Sequence, residues 1–142
     1  MLKQISVFIE NKPGKLNSVI SILKNNNVDI EAMSIADTTD FGIIRIMVKN
    51  PQEVFEILKK ADCTAKINNV VAVLLQNKPG ALCDVMNILC ENGINIEYTY
   101  SCLVQSNEKA VIIFRLNDND KADKVLSEAG ITQLNDNNML KA

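Results

Sequence analysis

The sequence predicts an α+β fold of two tandem βαββαβ units, each an antiparallel sheet with its helices on one face. Three observations carry this. The tetrapeptide Asn11-Lys12-Pro13-Gly14 returns as Asn77-Lys78-Pro79-Gly80, 66 positions later, and eleven of the 21 positions from 11 to 31 are identical in the two copies. Apolar residues alternate with polar ones before the first tetrapeptide, an apolar run from Val70 to Leu75 precedes the second, and in both copies apolar residues recur at helical spacing after it. Almost no linker separates the copies: Asn68-Asn69 marks the boundary, which gives units of 1–68 and 69–142. A repeat of this kind fixes the architecture before any single element is considered.

In the first unit, Ile5 to Ile9 alternates and reads as a strand. Pro13 fits the first position of a helix, where its missing N–H costs nothing. Leu16, Val19, Ile20 and Leu23 give that helix an apolar face, and Asn25-Asn26-Asn27 ends it. Val28 to Ile35 reads as the second strand, Asp37 to Asp40 as a turn and Ile43 to Val48 as the third strand. Pro51 opens a second helix bearing Val54, Phe55 and Leu58, and Ala65 to Ile67 closes the unit as a short strand. The second unit repeats the plan: Val71 to Leu75, a helix over Leu82 to Cys90 closed by Gly93, then Asn95 to Val104 and Ala110 to Leu116. A helix over Lys121 to Glu128 and a weak strand over Ile131 to Leu134 complete it. Beyond Gly42 the offset becomes 68, and the two extra residues belong in a hairpin around Gln105 to Lys109. The sheet edges of such units need pairing or protection, and the units can join side by side or pack face to face.

The 142 residues are 47% hydrophobic and 23% charged, a globular profile with a formal net charge of -2. Lysines are scattered singly or in pairs, so no basic stripe argues for nucleic acid. The longest apolar run, Val70 to Leu75, is too short to span a bilayer, and Met1 to Glu10 lacks the features of a signal peptide. Cys63, Cys83, Cys90 and Cys102 form no CxxC pattern. A reducing cytoplasm is the expected location, although the even count leaves a disulfide open. Cys83 and Cys90, seven apart on one helix, read as small buried or half-buried fillers.

The chain has no histidine, which removes the commonest general base and zinc ligand. No GxGxxG or Walker loop occurs. Asp29 and Glu31 share one face of the expected strand and read as a solvated or ligand-facing rim, not a catalytic pair. No catalysis, metal or cofactor is expected. The Asn-Lys-Pro-Gly turns are the better candidates for binding. Glycine allows a ligand close to the backbone, and first-turn N–H groups can receive a carboxylate. Asn11 or Asn77 can both donate and accept. The same residues also have a structural reading, in which Asn caps the helix and Pro-Gly shapes the turn. Asp29 and Asn95 hold equivalent places after the helix, again as ligand contacts or as ordinary turn polarity. Tyr98 and Tyr100 share a strand face with Cys102, to line a pocket or, as expected, to pack under a helix.

The pattern resembles the ACT domain, a small regulatory module that binds amino acids. Ile5 to Gly14 with Leu16, Val28 and Ile30, and Val70 to Gly80 with Leu82, Ile94 and Ile96, carry the resemblance across nearly the whole chain. It implies the ferredoxin-like fold, side-by-side pairing of domains and a ligand at the interface of the two domains. It also implies a contact from the Asn heading the turn, matching Asn11 and Asn77, and a second from the start of strand two, matching Asp29 and Asn95. Backbone around Pro13-Gly14 and Pro79-Gly80 helps. The candidate ligand set is Asn11, Lys12, Pro13, Gly14, Leu16 and Asp29, with Asn77, Lys78, Pro79, Gly80, Ala81, Leu82, Asn95 and Ile96. Some serine-binding members have a histidine two residues before the turn, where this chain has Ile9 and Leu75, so another amino acid or a different site is implied. Asn77 with Asn95 is preferred, because neutral amides tolerate a ligand carboxylate better than Asp29 does. The resemblance thus implies a non-catalytic amino-acid sensor, a plausible homodimer with a possible partner enzyme. The alternative is a ligand-free assembly module holding an oligomer or a partner.

Overall fold

The computed structural model describes residues 1–102 and 108–135. The chain divides into two units, Lys3–Asn68 and the residues from Asn69 onward together with Met1–Leu2. The first unit is built from β1 (Leu2–Glu10), α1 (Lys15–Asn25), β2 (Ala32–Asp37), β3 (Phe41–Met47), α2 (Pro51–Lys60) and the start of β4 (Thr64–Gln76). β3 lies between β1 and β2, antiparallel to both, with Ile5 opposite Ile46 and Ala32 opposite Met47. β4 borders the other side of β1. The alternation in β1 turns Ile5, Val7 and Ile9 toward the helices, where Val19 and Leu23 of α1 and Val54 and Leu58 of α2 meet them. The opposite face of β1 carries two buried polar residues, Gln4 and Ser6. Gln4 Nε2 donates to Ser6 Oγ at 3.0 Å, and Ser6 Oγ donates to Asn68 Oδ1 at 3.0 Å, so each has a partner.

The second unit uses the rest of β4, then α3 (Ala81–Glu91), β5 (Ile96–Cys102), β6 (Lys109–Leu116), α4 (Asn119–Glu128) and β7 (Thr132–Leu134). β6 pairs antiparallel with β4 and β5, and β7 pairs antiparallel with β4. Its core sets Val71, Val73 and Phe114 of the sheet against Val85, Leu89 and Leu126 of the helices. Asp118 caps α4 by accepting a hydrogen bond from the Lys121 N–H at 2.9 Å.

Several elements depart from the sequence expectation. The closing strand of the first unit and the opening strand of the second are one 13-residue strand, so Asn68-Asn69 lies inside β4. β2 begins at Ala32, not Val28. Asn27 takes φ 55, and the Val28 N–H bonds back to Leu23 O at 2.9 Å, which closes α1. Val28 and Ile30 then pack on the core as a connection, and their alternation imitates a strand. Asp29 and Glu31 therefore share no strand face. Cys83 and Cys90 are exposed rather than buried, because Val85 and Leu89 define the inner side of α3. Tyr98 and Tyr100 do not pack under a helix. A register shift between Ile96 and Tyr98 places Ile96 opposite Leu116 but Tyr98 opposite Arg115 and Tyr100 opposite Ile113, on the sheet face away from α3 and α4. There the two rings stack, 6.5 Å between centroids. The expected end of the second strand at Val104 and the hairpin positions from Gln105 to Asn107 lie outside the described residues.

Candidate functional site

The two Asn-Lys-Pro-Gly segments fold alike, and the proline is not the first helical residue. Gly14 has φ 84 and ψ -12, and Gly80 has φ 91 and ψ -22. The Lys15 N–H donates to Lys12 O at 3.2 Å, and the Ala81 N–H to Lys78 O at 3.3 Å. These are type II β-turns with proline and glycine in the two central places. A residue at φ near +90° cannot belong to a helix, so each helix starts one residue beyond its glycine. One first-turn amide of each helix, that of Lys15 or Ala81, is thereby already engaged, and the regular helical bonds begin with the Ser18 N–H to Gly14 O at 2.9 Å and the Asp84 N–H to Gly80 O at 3.0 Å.

The N-cap position of each helix is a glycine, Gly14 or Gly80, and not the asparagine three residues earlier. Asn11 turns instead to the β2–β3 connection. Its N–H donates to Asp40 O at 2.9 Å and its Nδ2 to Thr38 O at 3.3 Å. The Asn77 N–H makes the equivalent bond to Glu108 O at 2.8 Å. Thr38, Asp40 and Glu108 carried no signal in sequence, because only the sheet register brings them to the turn. Beside it, Lys12 Nζ meets Glu10 Oε2 at 2.9 Å. The hydrogen bond and charge of Lys12, and then the charge of Lys15, hold the exposed Glu10 carboxyl below the usual range.

The structure separates the candidate residues within each unit. Asn11 stands by the start of β3, whereas Asp29 lies by its end, where the Glu31 N–H donates to Met47 O at 2.9 Å. The six steps from Phe41 to Met47 put these ends about 20 Å apart at the strand rise of ~3.3 Å. Asn77 and Asn95 are divided in the same way, because the Asn95 N–H bonds to Asn117 Oδ1 at 2.9 Å, past the end of β6. One unit therefore cannot bring both asparagine-type contacts to one small ligand. Leu16 and Ala81 pack against the cores, while Leu82 is 37% exposed. Asp29 borders an open groove of about 460 Å³ with Ile20, Lys24, Asn27 and Ile30. Among the described residues no helix is long and apolar enough to cross a membrane, and no cluster of three or more Cys, Asp or Glu has metal-binding geometry.

With a βαββαβ sandwich in each half and a Pro-Gly turn heading the first helix of each, the class is that of a pair of duplicated α+β domains. The whole chain, residues 1–142, matches the ACT domain pair, and the protein belongs to that family of regulatory, ligand-binding domains. Among solved structures, protein BT0572 from Bacteroides thetaiotaomicron is 35% identical, with a TM-score of 0.91 over 99% of this chain and 96% of that one. The regulatory subunit of aspartate kinase from Thermus thermophilus is 17% identical, with a TM-score of 0.65 over 89% and 91% of the two chains. That from Thermus flavus is 17% identical, with a TM-score of 0.63 over 88% of each. At that identity the likeness shows the fold. No curated protein matches the sequence.

Proposed function

We propose that this protein is a non-catalytic sensor of a free amino acid, with one ACT domain in 1–68 and one in 69–142. The observation that carries the reading is the duplicated turn. Both copies keep asparagine at its head, glycine in the left-handed conformation and the helix start directly after. Because Asn11 and Asp29 are about 20 Å apart along β3, a ligand touching both kinds of residue needs the turn of one ACT domain and the start of strand two from another. Asn77 with Asn95 is the preferred combination, for the reason of charge given above; since both belong to the second ACT domain, they meet one ligand only across two copies of the chain. The ligand acts by favouring one of two states of the protein toward a partner, for which an enzyme of amino-acid metabolism fits the aspartate kinase fold neighbours. Titrating dialysed protein calorimetrically with each of the standard amino acids tests this. Saturable binding lost in Asn11→Ala or Asn77→Ala supports it. Folded, ligand-free protein that binds none of them rejects it.

A second reading, an assembly module, is favoured by β2. Met33 and Ile35, each 45% exposed, stand on this edge strand of the first unit, where the second unit has Thr99 and Ser101. A concentration-dependent mass in analytical ultracentrifugation, abolished by Ile35→Lys, would favour it.

A further inference from the structure

Asn92-Gly93 is the one asparagine-glycine step in the sequence. In an open chain such a step is chemically labile, because glycine has no Cβ to shield its backbone nitrogen from the carboxamide ahead of it. Gly93 N would bond to Asn92 Cγ, the Cγ–Nδ2 bond would break, and Nδ2 would leave as ammonia with the proton from Gly93 N. Water then opens the cyclic imide to aspartate or isoaspartate, and nothing is oxidised or reduced. The fold puts this step at the end of α3, where Asn92 is the C-cap and Gly93 takes φ 68. A Cβ built at Gly93 meets nothing within 4 Å, so no neighbouring atom crowds the step. Hydrogen bonds hold it instead. The Gly93 N–H, the nucleophile, donates to Cys90 O at 2.9 Å. Asn92 Nδ2, the leaving group, donates to Ile88 O at 2.8 Å.

Both of these bonds lie within the last turn of α3, and a helix end opens more readily than its middle. A third bond ties the end to another element. Lys121, in the first turn of α4, donates from Nζ to Asn92 O at 2.6 Å. A cation on the last carbonyls of a helix also suits the negative end of its dipole. Lys121 is itself placed by Asp118, which accepts its backbone N–H. The repeat supplies a comparison. The first unit has Asn26-Asn27 at the end of α1, and Asn26 Nδ2 makes the same bond, to Ile22 O at 2.8 Å. There the following residue carries a side chain, and the offset of 68 puts Glu53 where the second unit has Lys121. Glu53 accepts from Asn50 Nδ2 at 3.3 Å. Only the second unit combines the labile step with a lysine that fastens it.

We propose that Asn92 is a covalent modification site, deamidated when the end of α3 opens, and that Lys121 is the positioning residue that holds the reaction back. The product loses the donor to Ile88 O and sets a carboxylate at the negative end of α3. Isoaspartate also adds a backbone methylene just ahead of Ile94, a core residue whose N–H donates to Leu89 O at 2.9 Å. The modification therefore loosens the entry to β5 in the second unit. It uses no bound ligand and stands apart from the sensing role assigned above. Its test is incubation of the full chain in mildly alkaline buffer, followed by peptide mass spectrometry and isoaspartate-specific enzymatic methylation. Asn92 should convert ahead of every other asparagine. Lys121→Ala should speed that conversion about fivefold, and Lys121→Glu, which installs the first unit's residue, at least as much. Lys121→Arg should keep the slow rate, and so should Lys124→Ala, which removes only the exposed pair with Glu128. Conversion of another asparagine first would overturn the site. A Lys121→Ala rate equal to that of the wild type, or raised equally at Asn26, would overturn the role of Lys121.

Discussion

Replacing Gly80 by alanine isolates the backbone contribution of the Pro-Gly turn. A Cβ built at Gly80 meets nothing within 4 Å, so no steric clash enters and only the dihedral at φ 91 opposes the change. A left-handed conformation costs an L-residue about 1–2 kcal/mol. Alanine returns about 0.4–1 kcal/mol by restricting the unfolded chain. The net loss is then about 1 kcal/mol, which at a urea slope of about 2 kcal/mol/M lowers the denaturation midpoint by roughly 0.5 M. Gly14→Ala, at φ 84 with equally open surroundings, should lose about as much, and the double variant about twice as much. Gly42→Ala is the control. Gly42 is not among the positive-φ glycines, and its Cβ would touch Ile9 Cγ1 at 3.4 Å, an ordinary contact, so no comparable loss is expected. Urea curves followed by circular dichroism measure all four. An unchanged midpoint in Gly80→Ala, or a loss of several kcal/mol, would refute the assignment of these segments as open type II turns.

Three further outcomes are expected. Asp118→Ala should cost about 1 kcal/mol in urea unfolding, because its side chain caps α4, whereas Asn50→Ala at the start of α2 should cost far less, having no such bond. Leu58→Ala should destabilise by about 2–5 kcal/mol, since Leu58 is 0% exposed in the core of the first unit. The Glu10 carboxyl, followed by NMR titration, should ionise below the usual range and move back up in Lys12→Ala. The sign follows from its lowered folded-state pKa: the pair contributes above the ordinary carboxylate value and is lost as pH falls through the folded one.

The repeat and the order of elements were legible because apolar period is a local property of the chain. Val54 and Leu58, or Val85 and Leu89, announce their helices through spacing alone. Local pattern misled where another force set the backbone. Pro13 suits a helix start, but Gly14 at φ 84 delays the helix to Lys15. Val28 and Ile30 alternate like a strand, yet they are a connection whose side chains serve the core. Tyr98 belonged on the helix face by alternation from Ile96, and one register shift moved it to the other. For the candidate site, the residues were nameable but their distances were not, because the ends of β3 and β6 had to be known before Asn11 and Asp29, or Asn77 and Asn95, could be separated.

The central claim, that this ACT domain pair senses a free amino acid, is tested most directly by equilibrium dialysis of the full chain. The protein is dialysed against an equimolar mixture of the standard amino acids, and the protein-bound fraction is then analysed. A narrow subset should be enriched on the protein side, with at least one amino acid lost from it in the Asn11→Ala, Asn77→Ala double variant. A folded wild-type protein that enriches none of them, or an enrichment identical in the double variant, would contradict it.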